Sequence, residues 1–151
     1  MSKRQAIIIP AIVVAVLIGV ILAYQQWWSP QAKVRILVDH TARAFADKDP
    51  QKVLEAITPD FEQDGMTKEK LGAALVIFYA EFDKAKVTMS DQKISMTGDQ
   101  AVDSIKVVVV VSRGGEQGYL LGQFGNPAAL AVKLKRRSRW LITGVDGLPR
   151  Y

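Results

Sequence analysis

Ala101-Val102-Asp103-Ser104-Ile105-Lys106-Val107-Val108-Val109-Val110-Val111-Ser112 is the stretch on which the fold turns. Valine is stiff at its first side-chain torsion and packs well on a pleated surface. The unbroken run Val107 to Val111 is apolar on both faces, which predicts a central strand covered on each side. Upstream of it, Asp103 shares a parity with Ile105 and Val107. An isolated carboxylate is costly to bury, so Asp103 reads as an exposed strand end.

The flanks extend this strand into a sheet. Before it, Val87 and Met89, then Ile94 and Met96, alternate with polar residues. The parity shifts between the two pairs, which predicts a bulge near Asp91. Thr97-Gly98-Asp99 is a turn. After the central strand, residues 114–127 hold five glycines, with Tyr119, Leu120, Leu121 and Phe124 between them. That segment reads either as a flexible apolar loop able to serve as lid or docking surface, or as a long twisted hairpin. Leu130, Val132 and Leu134 then point one way, and Lys133, Lys135 and Arg137 the other. Trp140 to Val145 forms a last strand. The sheet is therefore expected to have four strands with short links, mainly antiparallel.

Upstream of the sheet the period is helical. Val34, Leu37, Val38, Thr41, Ala44 and Phe45 form one stripe over residues 31–48. Asp49-Pro50 starts a short helix with Asp as cap and Pro at its first position. Thr67 caps a third helix, in which Leu71, Leu75, Phe78 and Phe82 recur at helical spacing. Three helices followed by four strands predict an α+β domain with the helices on one side of the sheet.

Ahead of this domain, Ala6 to Tyr24 carries no charge. As a helix it spans about 28 Å, close to the hydrocarbon core of a bilayer. Its aliphatic residues favour insertion by about −5 kcal/mol. Tyr24, Trp27 and Trp28 stand where an interfacial belt belongs. The run exceeds a signal-peptide core, and Ile21-Leu22-Ala23 before Tyr24 is a poor cleavage site, so a retained anchor is expected. Lys3 and Arg4 place the N-terminus in the cytoplasm. The organisation is then residues 1–5 as a cytoplasmic tail, 6–24 as a transmembrane helix and 25–30 as an interfacial linker. Residues 31–151 form one extracytoplasmic domain, and the chain sits in the cell (inner) membrane.

Composition narrows the chemistry. The 151 residues are 49% apolar and 23% charged, with no cysteine and one histidine. These counts exclude disulfides, a cysteine nucleophile and multi-histidine metal sites. The formal charge of +5 includes Lys3 and Arg4, so the domain is too nearly neutral to suggest nucleic-acid binding. No cofactor motif is present. In particular, the glycines of 114–127 lack the ending of a phosphate loop.

Three stretches carry a family resemblance: residues 41–50 (Thr41 to Pro50) with Val53-Leu54 and Thr58-Pro59-Asp60-Phe61; the strand through Val111; and Arg139-Trp140-Leu141-Ile142-Thr143-Gly144-Val145-Asp146. In these the domain resembles the nuclear transport factor 2-like superfamily, the cone-shaped fold shared with SnoaL-type cyclases and ketosteroid isomerase. The resemblance implies a curved sheet wrapped around the helices. It also implies a cone that serves as an active site, a binding pocket or a filled core. Enzymes of this kind need an acid or base facing the cavity, with a Tyr or Asp donating to a developing oxyanion.

His40, Tyr79 and Asp103 are the candidates for that role, with Asp39 and Asp60 behind them. Asp39 and His40 are neighbours on a helix and point about 100° apart, so both cannot face one cavity. Each candidate has a plain reading: His40 solvated, Tyr79 a core aromatic with a wet hydroxyl. Tyr119, Leu121 and Phe124, with the basic face Lys133, Lys135 and Arg137, are the candidate binding residues. The function expected is a membrane-anchored binding or assembly module, partnered by itself or by another membrane protein. The alternative is an anchored enzyme or carrier for a small apolar molecule.

Overall fold

The computed structural model describes the backbone of residues 3–149, and the side chains of residues 10–23 and 29–149. Two compact units divide at Lys33 and Val34. The first contains helix α1, Lys3–Trp28, with Pro10 inside it. Its described apolar side chains, from Ile12 to Leu22, are all exposed. The predicted span begins and ends on side chains outside the described residues, as do Lys3, Arg4, Tyr24, Trp27 and Trp28. Among the described residues no helix is long and apolar enough to cross a membrane.

Helix α2 runs from Pro30 to Ala46, α3 from Pro50 to Glu55 and α4 from Lys68 to Glu81. The caps are those the sequence specifies. Asp49 accepts from Lys52 N at 3.1 Å, and Thr67 Oγ1 accepts from Lys70 N at 3.3 Å. Each satisfies an amide that the first helical turn leaves unpaired. Between α3 and α4 two short strands pair: β1 (Glu62–Gln63) with β2 (Met66–Thr67). Asp64 and Gly65, both at positive φ, make the tight turn between them.

The main sheet has five strands rather than four. These are β3 (Lys84–Thr97), β4 (Gln100–Arg113), β5 (Glu116–Leu121), β6 (Ala128–Arg136) and β7 (Trp140–Asp146), all antiparallel neighbours. The added strand is the glycine-rich segment. Gly114 and Gly115 have φ of 60° and 84°. A two-residue turn with both φ values positive matches the right-handed twist of a hairpin, so it folds Glu116–Leu121 back onto the end of β4. Strand β4 therefore pairs with β3 along one side. On the other it pairs with β6 from Gln100 to Val107 and with β5 from Val109 to Arg113. The bulge predicted near Asp91 is present: the register shifts between Ser90 and Lys93, and Asp91 has φ of 52°.

Helices α2–α4 lie over the sheet's inner rows. Val34, Val38, Ile57 and Phe61 join Ala101, Ile105, Val107, Val109, Val111, Val132, Leu134, Trp140 and Ile142 in one core. Phe45, Leu71, Phe78 and Phe82 pack at its margin.

Candidate functional site

Burial of Asp103 is the first departure from the sequence reading. Its relative exposure is 0%, between Ala101 and Ile105 on the inner row of β4. The cause lies in the neighbouring strand. The bulge at Asp91 changes the phase of β3 and turns Gln92 inward. Gln92 Nε2 then donates to Asp103 Oδ2 at 2.5 Å. Asp103 Oδ1 has no partner among the described residues. Burial pushes the Asp103 carboxyl above its ordinary range. The Gln92 hydrogen bond opposes the shift, the charge of Asp39 on α2 adds to it, and Arg35 opposes it. The result is an acid held toward its protonated form inside an apolar wall, and water is kept from it.

Tyr79 does not join that acid. Its hydroxyl is not wet: it donates to the carbonyl of Phe45 at 2.9 Å. Its ring packs against Phe45 and Phe78 at 5.9 and 5.5 Å. The last carbonyls of a helix lack intrahelical donors, so Tyr79 serves as a cap on α2. Burial, helped by the charge of Asp49, raises its pKa from 10.0 to about 12. The unfolded hydroxyl ionises near 10, so the stability this residue contributes is complete below pH 10. It is lost as pH climbs to about 12. Tyr79→Phe should cost about 1 kcal/mol at neutral pH. Thermal unfolding of the variant should also show a flatter decline between pH 10 and 12.

His40 is exposed, as read from the sequence. It lines a separate, charged cleft of about 520 Å³ with Arg43, Asp47, Lys52, Glu55 and Arg139. The three candidate catalytic residues are thus in three places. Among the described residues no group of His, Cys, Asp or Glu is placed to hold a metal ion.

The basic face is also changed by the tertiary structure. Lys133 and Lys135 do point outward from β6, but Arg137 lies in the turn beyond its end. Lys133 pairs with Asp146 at 2.9 Å and Arg137 with Asp60 at 2.7 Å. The Arg137 hydrogen bond holds the Asp60 carboxyl below its ordinary range. Arg139 donates to the Glu55 carbonyl at 2.8 Å. Lys133 and Arg137 thus each face a carboxylate within the domain, which lowers the cluster's field on any anionic partner.

In the β5 region the candidate residues separate. Leu121 packs against the core. Tyr119 and Phe124 stay at the surface, edge to face with ring centroids 5.9 Å apart. Phe124 stands on a turn closed by reciprocal hydrogen bonds between Gln123 and Asn126, at 3.1 and 3.0 Å. It is 61% exposed. The pair is therefore an aromatic surface on a hydrogen-bonded hairpin.

One feature went unread in the sequence. An apolar groove of about 620 Å³ opens beside β7, lined by Ile57, Phe61, Met66, Leu71, Val145 and Leu148 among others. Gln63 frames it: Nε2 donates to Val145 O at 2.6 Å, and Val145 N donates to Oε1 at 2.7 Å. The side-chain amide thus continues the pairing of the outer edge of β7, where Ile142 N donates to Ala56 O and Ile142 O accepts from Thr58 N. Gln63→Leu leaves both Val145 groups unpaired, so a loss of about 2 kcal/mol is expected in denaturant unfolding.

No protein-family model matches the chain, and no curated protein matches it. Solved structures do. A nuclear transport factor 2-like protein with a cystatin-like fold from Novosphingobium aromaticivorans superposes with a TM-score of 0.63 at 15% identity, over 83% of this chain and 84% of that one. A candidate aromatic ring hydroxylase from the same organism gives 0.65 at 16%, over 80% and 90%. Bdellovibrio bacteriovorus Bd1075 gives 0.60 at 13%, over 78% of this chain, which spans only 40% of that protein. At such identities the likeness shows the fold: helices packed on a curved antiparallel sheet of nuclear transport factor 2-like, cystatin-like form.

Proposed function

We propose that the chain is a membrane-anchored extracytoplasmic module that binds or assembles with another protein and performs no catalysis. The observation that carries this reading is the contrast between interior and surface. The acid and the tyrosine that an active site would use are sealed or engaged in structure, while the Tyr119–Phe124 pair is presented to solvent, Tyr119 on β5 and Phe124 on the hydrogen-bonded turn that follows. Exposed aromatics of fixed geometry are strong anchors for a partner, because little side-chain freedom is lost on docking. Residues 6–24 supply the membrane attachment, with the N-terminus cytoplasmic, in keeping with the uncharged sequence and the positions of Lys3 and Arg4.

Two measurements test this. Alkaline carbonate extraction of cells should leave the full chain in the membrane pellet, and protease should reach the domain only once the outer barrier is opened. Release into the supernatant would refute the anchor. A photo-crosslinking amino acid at position 124 should yield a discrete protein adduct that Tyr119→Ala diminishes; smeared or absent adducts would count against the aromatic surface.

The groove beside β7 supports a second reading, a carrier for a small apolar molecule. Its volume falls within the ~300–1,000 Å³ of ligand pockets. Native mass spectrometry of the full chain should then show a bound small molecule that Leu71→Trp expels. An empty wild-type chain that takes up no added neutral aromatic would end this reading.

A further inference from the structure

The charged cleft that carries His40 lies between two elements held apart by the rest of the fold. Its walls are α2 and α3, which meet where Asp49 N donates to Ala44 O at 3.0 Å. On one side Val34 and Val38 fix α2 in the core. On the other, Ile142 N donates to Ala56 O at 2.7 Å and Thr58 N to Ile142 O at 3.0 Å, which ties the end of α3 to β7. Between the walls the floor is small and apolar, with Ala44 and Ala56 both buried. The volume of about 520 Å³ falls within the ~300–1,000 Å³ of small-molecule sites.

The charges along this cleft specify what it takes. Apart from His40, Arg43, Lys52 and Arg139 share it with Asp47, Asp49 and Glu55, so the lining carries no net charge. Asp49 is occupied by the α3 cap and by Lys52, whose Nζ lies 3.8 Å away. Arg139 donates from Nη2 to the Glu55 carbonyl at 2.8 Å and keeps its other donors. The side chains of Arg43, Asp47 and Glu55 have no hydrogen bond or ion pair among the described residues. A lone anion would meet carboxylates here and a lone cation would meet guanidinium groups, so the cleft favours a ligand that carries both charges. Spacing sets its length. Asp47 N donates to Arg43 O at 2.8 Å, which places the two residues one helical turn apart, about 6 Å along the axis. An extended dipeptide holds its ammonium and carboxylate about 7 Å apart, and a free amino acid holds them much closer.

We propose that the cleft between α2 and α3 binds a short peptide by its two free termini, with the carboxylate between Arg43 and Arg139 and the ammonium on Asp47. The inference goes beyond the assembly reading and depends neither on the aromatic turn nor on the membrane segment. All three side chains belong to exposed residues, where charge pairs are worth little. Binding is therefore weak, with a Kd of about 1 mM, and it falls further as salt is added.

Saturation-transfer NMR on the full chain in a nonionic detergent tests this, with L-alanyl-L-alanine as the probe. The dipeptide should bind, and its N-acetyl and C-terminal amide forms should each bind about tenfold more weakly, the loss of one charged contact. Arg43→Gln should abolish the preference for the free carboxylate and keep that for the free amine, and Asp47→Asn should do the reverse. Residues acting only through the fold would lower the affinity for all three compounds together. No transfer to the dipeptide at about 10 mM, ten times the expected Kd, would overturn the proposal. Equal binding of the blocked forms would do the same. So would a wild-type pattern in both variants, which would put the dipeptide elsewhere on the chain.

Discussion

Asp103→Asn should stabilise the protein at neutral pH, by about 1–3 kcal/mol in denaturant unfolding, which is unusual for a fully buried position. In the native state the carboxyl is sealed in an apolar wall with one hydrogen bond and one unpaired oxygen. In the unfolded chain it ionises near its ordinary value of 3.8. The folded value is raised, first by burial and then by Asp39. Between the two values the unfolded state binds fewer protons than the native state, so wild-type stability falls as pH rises through this interval. Below pH 3.8 both states are protonated and the penalty is absent. The asparagine side chain keeps an oxygen for Gln92 Nε2 and turns an amide toward the field of Asp39, without ever ionising. Its advantage should therefore be largest at pH 7 and fade toward pH 4. A variant less stable than wild type at pH 7 would mean that the carboxylate is held charged, with Arg35 outweighing burial.

Gly122→Ala should have the opposite sign and a larger size, a loss of about 3–5 kcal/mol. Gly122 has φ of +64°, a conformation that side chains rarely adopt. A methyl group there would also stand 2.6 Å from both Ala128 N and Val107 O, and 3.2 Å from Pro127 Cα. All three atoms belong to backbone and none can rotate away. Gly122 is where the chain leaves β5 and returns as β6, so relief of the clash requires β6 to separate from β4 at Val107 and Ala128, the end of their pairing. The turn bearing Phe124 would move with it. Gly125→Ala, also at positive φ but with open space around the added carbon, isolates the conformational part and should cost only about 1 kcal/mol. Equal losses at the two positions would show that the backbone clash is relieved without separating the strands.

How far the residues alone determined these features depends on the distance over which each is specified. The caps Asp49 and Thr67 satisfy amides within their own first turns, so they could be read from a few neighbouring letters. The bulge at Asp91 was legible for a related reason: strand parity is a local property, and a shift in it has few other causes. The valines of β4 marked the centre of the sheet because only a strand covered on both sides tolerates them. By contrast, the sequence left β5 open between loop and hairpin, because glycines that allow a loop also allow a primed hairpin turn, and only the twist of β4 selects between them. Gln63 supports Val145 from 82 positions away, and nothing local to either residue announces it. The basic residues of β6 looked like a surface for partners until Asp60 and Asp146 were brought beside them. Asp103 was misplaced for the same reason. Sequence parity put it on the inner row, while the cost of burying a charge argued that it must be a strand end. That cost is met in the fold by Gln92, re-aimed by the bulge, and by a raised proton affinity. The sequence by itself determined helices α2–α4, strands β3, β4, β6 and β7, their order and their apolar inward faces, because periodicity and capping act over a few residues. Only the tertiary structure decided which polar groups are sealed, which charges cancel and which apolar side chains remain uncovered, because each of these depends on atoms that chain folding brings together from distant positions.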